Sequence, residues 1–151
     1  MKILLMKFIK ILEVKKMNVK SAIEKLERRL EKTQETISKY LKKGNEMEYL
    51  LADGQEDLKT SYRIASKRDY YYRKYTIVED YAEELKELIQ ILKSKDLDDK
   101  VIFVSEEKFE NEYALYGDST EEWENTIASM VRCDLGDGRN VLAVSIKKMP
   151  I

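Results

Sequence analysis

Lysine, arginine and tyrosine side chains crowd residues 67–75, "KRDYYYRKY", where they could contact phosphates and nucleobases. Lysine and arginine neutralise phosphate charge, and a tyrosine ring can stack on a base. At 3.6 residues per turn, several of these side chains and one from the preceding turn share a helix face. This candidate basic stripe consists of Arg63, Lys67, Arg68, Tyr70 and Lys74. It predicts a surface for nucleic acid, for a protein partner, or for the acidic region of the protein itself.

Some of the tyrosines in this segment are predicted to pack against another helix. Tyr71 and Tyr75 continue the spacing of Ile64 along an adjacent stripe, so we expect their rings to be covered. Arg68 and Tyr72 are four residues apart, and this spacing predicts a cation–π contact between their side chains.

Acidic residues dominate the C-terminal third of the chain. Residues 96–140 contain thirteen acidic and four basic side chains, whereas residues 59–75 contain six basic side chains and one acidic one. An acidic surface with interleaved aromatic residues can imitate nucleic acid and dock on an enzyme that processes it, although a solvated face is the ordinary interpretation. The candidate acidic surface consists of Asp98, Asp99, Glu106, Glu107, Glu110, Glu112, Glu121 and Glu122.

The residue types exclude several kinds of catalytic site. The chain has no histidine and a single cysteine, Cys133, which excludes Ser-His-Asp and Cys-His catalysis and histidine-ligated zinc. Residues 135–140, "LGDGRN", lack the lysine of a phosphate-binding loop and the spacing of an EF-hand, and they predict a hairpin turn. We therefore expect no catalytic residue, no cofactor and no metal site. Cys133 is predicted to be a small buried core residue, and the lone cysteine indicates a reducing, cytoplasmic compartment.

Residues 1–16 form an amphipathic N-terminal segment. Lysines interrupt its apolar stretch and no small-residue cleavage site follows, so a secretory signal is not predicted. The segment is also too short and too charged to span a bilayer. It is interpreted as a helix docked on the rest of the fold, as a helix at a membrane surface, or as an extension upstream of a natural start at Met17.

Two heptad repeats place the basic stripe on a helical hairpin. Apolar residues recur in steps of three and four from Val19 onwards, and the same pattern returns in a second segment that ends at Leu92. The predicted helix-packing seam consists of Ile23, Leu26, Leu30, Ile37, Tyr71, Tyr75, Val78, Leu85, Ile89 and Leu92. Two such helices joined by a short break predict an antiparallel hairpin.

Glycines mark the predicted helix ends. We expect the first helix to end at Gly44 in a left-handed cap, because two lysines precede this glycine. The second helix should run from about Gln55 to near Lys95. Helices of such unequal length would leave part of the second one exposed unless the N-terminal segment or a second subunit covers it, and we expect a homodimer or a higher oligomer.

The C-terminal third is predicted to contain strands and one helix. The β-branched residues 101–105 indicate a buried strand, and residues 130–135 and 140–147 indicate a β-hairpin. Ser119 and Glu122 have the spacing of a capping box, which predicts a helix between the first strand and the hairpin.

The predicted fold class is α+β, with a long antiparallel, coiled-coil-like helical hairpin followed by a small antiparallel β-sheet with a helix. Three parts are predicted: the amphipathic segment 1–16, a helical hairpin over 17–95, and an acidic α+β unit over 96–151. Residues 108–116 fit a helix or a strand equally well.

No motif in the chain specifies a reaction, so the leading hypothesis is a non-enzymatic interaction protein. It would oligomerise through the hairpin, with a dimer favoured, and bind a macromolecular partner, most simply a protein. The alternative is a nucleic-acid-binding protein, or an inhibitor of a nucleic-acid-processing enzyme that acts through the acidic surface. The abundance of Lys, Ile, Glu and Tyr resembles the composition of proteins from AT-rich bacterial genomes and their phages or mobile elements. A small-molecule substrate and a membrane partner are not expected.

Overall fold

A computed structural model describes residues 16–115, 117–124, 127–134 and 140–150 of the 151-residue chain. The α+β prediction is confirmed, because two long helices pack as a hairpin and a small sheet with a short helix follows. The helices are α1 (Val19–Asp53), α2 (Leu58–Lys93) and the single turn α3 (Glu106–Lys108), which continues as a π-helical turn over Phe109–Tyr113. The strands are β1 (Met17–Asn18), β2 (Lys100–Val104), β3 (Gly117–Glu124), β4 (Ala128–Asp134) and β5 (Asn140–Ile146).

Several predictions concern segments outside this description. The interpretations of residues 1–15 and of the hairpin turn over residues 135–139 lie outside the described residues. None of the described helices is both long enough and apolar enough to cross a membrane.

Side-chain caps begin both long helices. Asn18 Oδ1 accepts a hydrogen bond from the Ser21 backbone N–H at 2.8 Å, and Asp57 Oδ1 accepts one from the Thr60 N–H at 2.7 Å. Each bond satisfies a donor that the first helical turn leaves without an intrahelical partner. Between the helices, Gly54 has a φ of 68°, a backbone conformation that favours glycine, so the break predicted at this position is confirmed.

The predicted end of the first helix at Gly44 is wrong, because α1 continues to Asp53. Gly44 is buried, and a Cβ added to it would lie 3.1 Å from Tyr72 Cζ on α2 and closer still to two other ring carbons. The missing side chain therefore makes room for an aromatic ring and does not form a cap. The two helices have 35 and 36 residues, so the predicted difference in their lengths is also wrong.

The sheet has the strand order β1-β2-β5-β4-β3. Strands β4 and β5 form the predicted antiparallel hairpin, and β2 lies where the β-branched run predicts a strand. The sheet is nevertheless mixed, because β2 pairs with β5 in parallel, and the prediction of an antiparallel sheet is wrong for this pair. Parallel neighbours need a long connection, and here the segment between them contains β3 and β4.

The helix predicted from Ser119 is wrong, because residues 117–124 form strand β3. This strand pairs with β4 in antiparallel register, with Trp123 opposite Met130, and the register shifts between Asp118 and Trp123. Both ends of this segment pair with β4, so a tertiary interaction overrides the local helix signal.

The segment that fitted either helix or strand is helical as far as Tyr113. The Ser105 hydroxyl accepts a hydrogen bond from the Lys108 N–H at 3.2 Å and caps α3. The π-helical turn then buries Phe109 and Tyr113 beneath the sheet strands. Its described continuation, at residues 114–115, is a turn.

The described residues form two compact units. One comprises residues 16–27 and 87–148. On one face of its sheet, strand residues and the π-helical turn form a hydrophobic cluster of Ile102, Phe109, Tyr113, Val131, Cys133, Val141 and Ala143. The other comprises residues 28–86 and 149–150, where the fully buried apolar side chains are few. These are Val78, Tyr81, Ala82 and Leu85. The second unit is thus a thin two-helix layer in which much of the helix surface faces outwards.

Candidate functional site

The candidate basic stripe lies on α2, within the second unit, and its members differ in exposure. Arg63, Lys67 and Tyr70 are exposed, whereas Arg68 and Lys74 are partly covered. Lys74 Nζ lies 5.8 Å from the centre of the Tyr70 ring, a cation–π distance. The helix therefore carries the stripe as an ordered surface feature, although the five residues are not equivalent.

Arg68 is neutralised within the protein. Its guanidinium donates to Glu48 Oε2 on α1 at 3.1 Å and to Asp69 Oδ1 at 3.2 Å. Hydrogen bonds to Asp69 and then to Glu48 raise the pKa of Arg68 above its ordinary value. The predicted stacking of Arg68 on Tyr72 is wrong, because the Tyr72 ring lies against Gly44 and its hydroxyl donates to Asn45 Oδ1 at 2.9 Å.

Other cations of α2 remain without a carboxylate partner. Among residues 16–115, 117–124, 127–134 and 140–150, none forms an ion pair with Lys59, Arg63, Lys67 or Arg73, and these four side chains are exposed. At about 100° per residue they share an arc of about 140° with two tyrosines and Lys74. We call this set the outer face of α2: Lys59, Tyr62, Arg63, Lys67, Tyr70, Arg73 and Lys74.

Two aromatic rings of the outer face are open to solvent. Tyr62 is 75% exposed and Tyr70 is 47% exposed. The Tyr70 ring is held on one side by an edge-to-face contact with Tyr71, with the ring centres 5.6 Å apart. Sequence reasoning missed Tyr62 and underrated Arg73, and the signal that could have found both is their position on the side of α2 opposite the packing seam.

No protein-family model, curated protein or solved structure matches this chain. The class of ligand is therefore inferred from the side chains of the outer face themselves. Five cations can contact negative charges, and two accessible rings can contact planar groups.

The predicted packing seam lies between the two long helices. Val78, Leu85 and Leu92 are buried, and Tyr71 and Tyr75 are half-buried. Of the remaining seam residues, Ile23, Leu26 and Ile89 are buried, and Leu30 and Ile37 are half-buried. Lys43 Nζ lies 5.5 Å from the centre of the Tyr71 ring. A hydrogen bond to Glu79 raises the pKa of Tyr75. The seam side chains are therefore used for packing within the hairpin and are not presented to a ligand.

The candidate acidic surface is spread over several elements of the first unit. Asp98, Glu106, Glu107 and Glu110 are exposed, and Glu112 is partly covered. Asp99 Oδ2 lies 3.5 Å from the Arg132 guanidinium, so part of its charge is compensated. Glu121 and Glu122 lie on β3, and their side chains are outside the described part. Use of this surface to imitate nucleic acid stays a prediction.

Cys133 is buried in the sheet core, 4% exposed, as the sequence predicts. Its thiol donates to the Tyr113 carbonyl oxygen at 3.6 Å, and burial raises its pKa to about 11. A thiol with this pKa is almost entirely protonated near pH 7, and the thiolate is the nucleophilic form. Among the described residues no group of three or more cysteine and acidic side chains is arranged to hold a metal ion.

Proposed function

We propose that this protein is a non-enzymatic, cytoplasmic nucleic-acid-binding protein, which contacts phosphates through the outer face of α2. The observation that carries this proposal is the contrast between Arg68, which is neutralised by Glu48 and Asp69, and the exposed cations around it, which have no such partner in the described residues. A cation without a carboxylate partner is available to neutralise a phosphate. Neutralising phosphates favours binding, because it releases the counterions condensed on the nucleic acid.

The net charge of the whole chain, −1, does not oppose this proposal. At physiological ionic strength, exposed charges more than about 8 Å apart are largely screened from one another. A phosphate bound at the outer face is thus influenced mainly by the charges within about 8 Å of it, which include Lys67 and its neighbours on α2.

The experiment measures the anisotropy of a fluorescein-labelled oligonucleotide as full-length protein is added, at about 50 mM and at about 200 mM salt. Binding is expected at the lower salt and should weaken strongly at the higher. Reversing charge in the double variant Lys67→Glu/Lys74→Glu should weaken binding by about tenfold or more, because two phosphate contacts become repulsive.

The matched control is Lys39→Glu/Lys42→Glu. It makes the same change in net charge on the side of α1 that points away from its packing seam, at two exposed positions of the same unit. This variant should bind within about twofold of the parent. No anisotropy change at low salt would contradict the proposal. So would equal loss in both double variants, or binding of polyglutamate as tight as that of the oligonucleotide.

Self-association of the hairpin is a second candidate function, supported by a different observation. The second unit exposes large apolar side chains, with Leu58 at 89% and Leu41 and Leu50 at 38% each. Exposed apolar groups of this kind favour contact with another protein surface. Light scattering coupled to gel filtration should then give a dimer that Leu50→Glu shifts towards monomer, and a monomeric parent protein at all concentrations would contradict this candidate.

A further inference from the structure

We infer that the outer face of α2 selects single-stranded over duplex nucleic acid, with unstacked bases lying on Tyr62 and Tyr70. This inference rests on the proposed function and specifies its ligand. Phosphate contacts alone would not favour the single strand, because a duplex carries two phosphate charges at each base-pair step and a single strand carries one. The distinction comes from the two tyrosines.

The tyrosines are presented as platforms and not as packing residues. Tyr62 has three-quarters of its surface exposed, although α2 has a packed seam available on another side. The Tyr70 ring is fixed by Tyr71 on one side and accompanied by Lys74 Nζ at 5.8 Å. A ring held in place loses little conformational freedom when a base stacks on it. Each ring also has a cation about one turn away on the same face, Lys59 for Tyr62 and Lys74 for Tyr70, which can contact the adjoining phosphate.

The spacing of the rings favours a single strand. Tyr62 and Tyr70 are eight positions apart in the sequence, so they lie about 12 Å apart along the helix axis. Stacked bases in a duplex are only about 3.4 Å apart along each strand, and both faces of each base are covered by its neighbours. A duplex could use these rings only by unstacking at two places, whereas a single strand can turn two separate bases onto them.

An acidic peptide fits the same face less completely. Its carboxylates could contact the cations, but acidic side chains supply no aromatic ring to stack on Tyr62 or Tyr70. Nucleic acid uses both the cations and the rings, so the joint placement of the two residue types on one arc favours it.

The experiment titrates full-length protein into labelled oligothymidine of about 16 nucleotides and into a duplex of the same length, at a common low salt concentration. The single strand is expected to bind about tenfold more tightly than the duplex. Tyr62→Ala and Tyr70→Ala should each weaken binding of the single strand by about tenfold, the size of effect expected for one stacked base. Neither variant should change duplex binding by more than about twofold.

Tyr49→Ala is the matched control, because Tyr49 on α1 has the same exposed fraction, 75%, as Tyr62. It should leave oligothymidine binding unchanged, and Tyr62→Phe should retain most of the parent affinity because the ring is kept. Equal affinity for both forms, or equal loss in Tyr49→Ala and Tyr62→Ala, would overturn the inference while leaving the proposed function standing. Absence of binding to either oligonucleotide would overturn the proposed function itself.

Discussion

The Tyr72 ring on α2 occupies the position that a side chain on Gly44 of α1 would require. A Cβ at Gly44 would lie 3.1 Å from Tyr72 Cζ and nearer to two other ring carbons, which is closer than ordinary van der Waals contact allows. The Tyr72 hydroxyl donates to Asn45 Oδ1, the residue next to Gly44, at 2.9 Å. Gly44 thus leaves room for the ring carbons of Tyr72, and Asn45 accepts the hydrogen bond from its hydroxyl.

Gly44→Ala is expected to destabilise the hairpin, by up to about 2 kcal/mol. Alanine favours a helix interior over glycine by about 1 kcal/mol, but overpacking against a held ring costs about 1–3 kcal/mol and outweighs this gain. Urea unfolding followed by circular dichroism measures the difference. In a Tyr72→Ala background the ring is absent, so Gly44→Ala should stabilise, and the sign of its effect should reverse. Destabilisation of the same size in both backgrounds would contradict this account.

Gly44 also shows where local sequence signals stop. Two lysines followed by glycine are a sound signal for a helix end, and the heptad spacing correctly predicts two packed helices. The information that keeps α1 helical lies 28 residues away, in the ring of Tyr72. A pattern confined to a few neighbouring residues cannot include such a contact.

In the sheet, too, local signals predict the strands but not how distant strands pair. The β-branched run and the hairpin could be predicted because strand propensity and turn residues are local properties. The direction of β2 beside β5 could not, since it depends on where a connection of 35 residues returns. In β3, pairing with β4 overrode a capping-box signal that was correct in form.

The residue types of the candidate site could be predicted from the sequence, but the ion pairs that its cations form could not. Helical periodicity placed Lys67, Tyr70 and Lys74 on one stripe, and α2 carries them as an accessible stripe. Removing Arg68 from the set of available cations required the position of Glu48, which lies on the other helix. Charge patterning in one helix says nothing about the carboxylates that a second helix brings to it.

Asn18→Ala is expected to lower the unfolding free energy of the unit that contains β1 by about 1 kcal/mol, because the Ser21 N–H loses its acceptor at 2.8 Å. Asn18→Asp keeps an acceptor and adds a negative charge at the helix N-terminus, so it should be neutral or slightly stabilising. Thermal unfolding of the three proteins measures both effects. Equal destabilisation by Ala and Asp would show that the cap is not the cause.

Two serines of the sheet unit should respond in opposite directions to replacement by alanine. Ser145 is 3% exposed and its hydroxyl has no hydrogen-bond partner among the described residues, so Ser145→Ala should raise the unfolding free energy by up to about 1 kcal/mol. The Ser105 hydroxyl caps α3 by accepting a hydrogen bond from the Lys108 N–H, so Ser105→Ala should lower the unfolding free energy by about 0.5–1 kcal/mol. Urea midpoints measured side by side test the pair, and destabilisation by Ser145→Ala would mean that its hydroxyl has a partner in solution.

The Cys133 thiol should make the protein less stable in alkali. Burial raises its pKa from 9.0 to about 11, so its stabilising contribution is complete below pH 9 and is lost as the pH rises through 11. In this window the unfolded chain releases a proton that the folded chain keeps, and the unfolding free energy should fall by up to about 1.4 kcal/mol per pH unit. Burial also raises the pKa of Tyr113 to about 12, which extends the decline to higher pH.

Cys133→Ala separates the two groups, because its unfolding free energy should fall less steeply between about pH 8.5 and pH 9.5, where the Tyr113 hydroxyl, with an ordinary pKa of 10.0, is still mostly protonated in the unfolded chain. The measurement is a series of urea titrations across this range for the parent and the variant. A thiol reagent gives an independent check, since at pH 8 the folded thiol should hold roughly a hundredfold less thiolate than the unfolded one and react correspondingly more slowly. Parallel pH profiles for the two proteins, or equally fast labelling with and without urea, would mean that Cys133 is accessible in the folded protein.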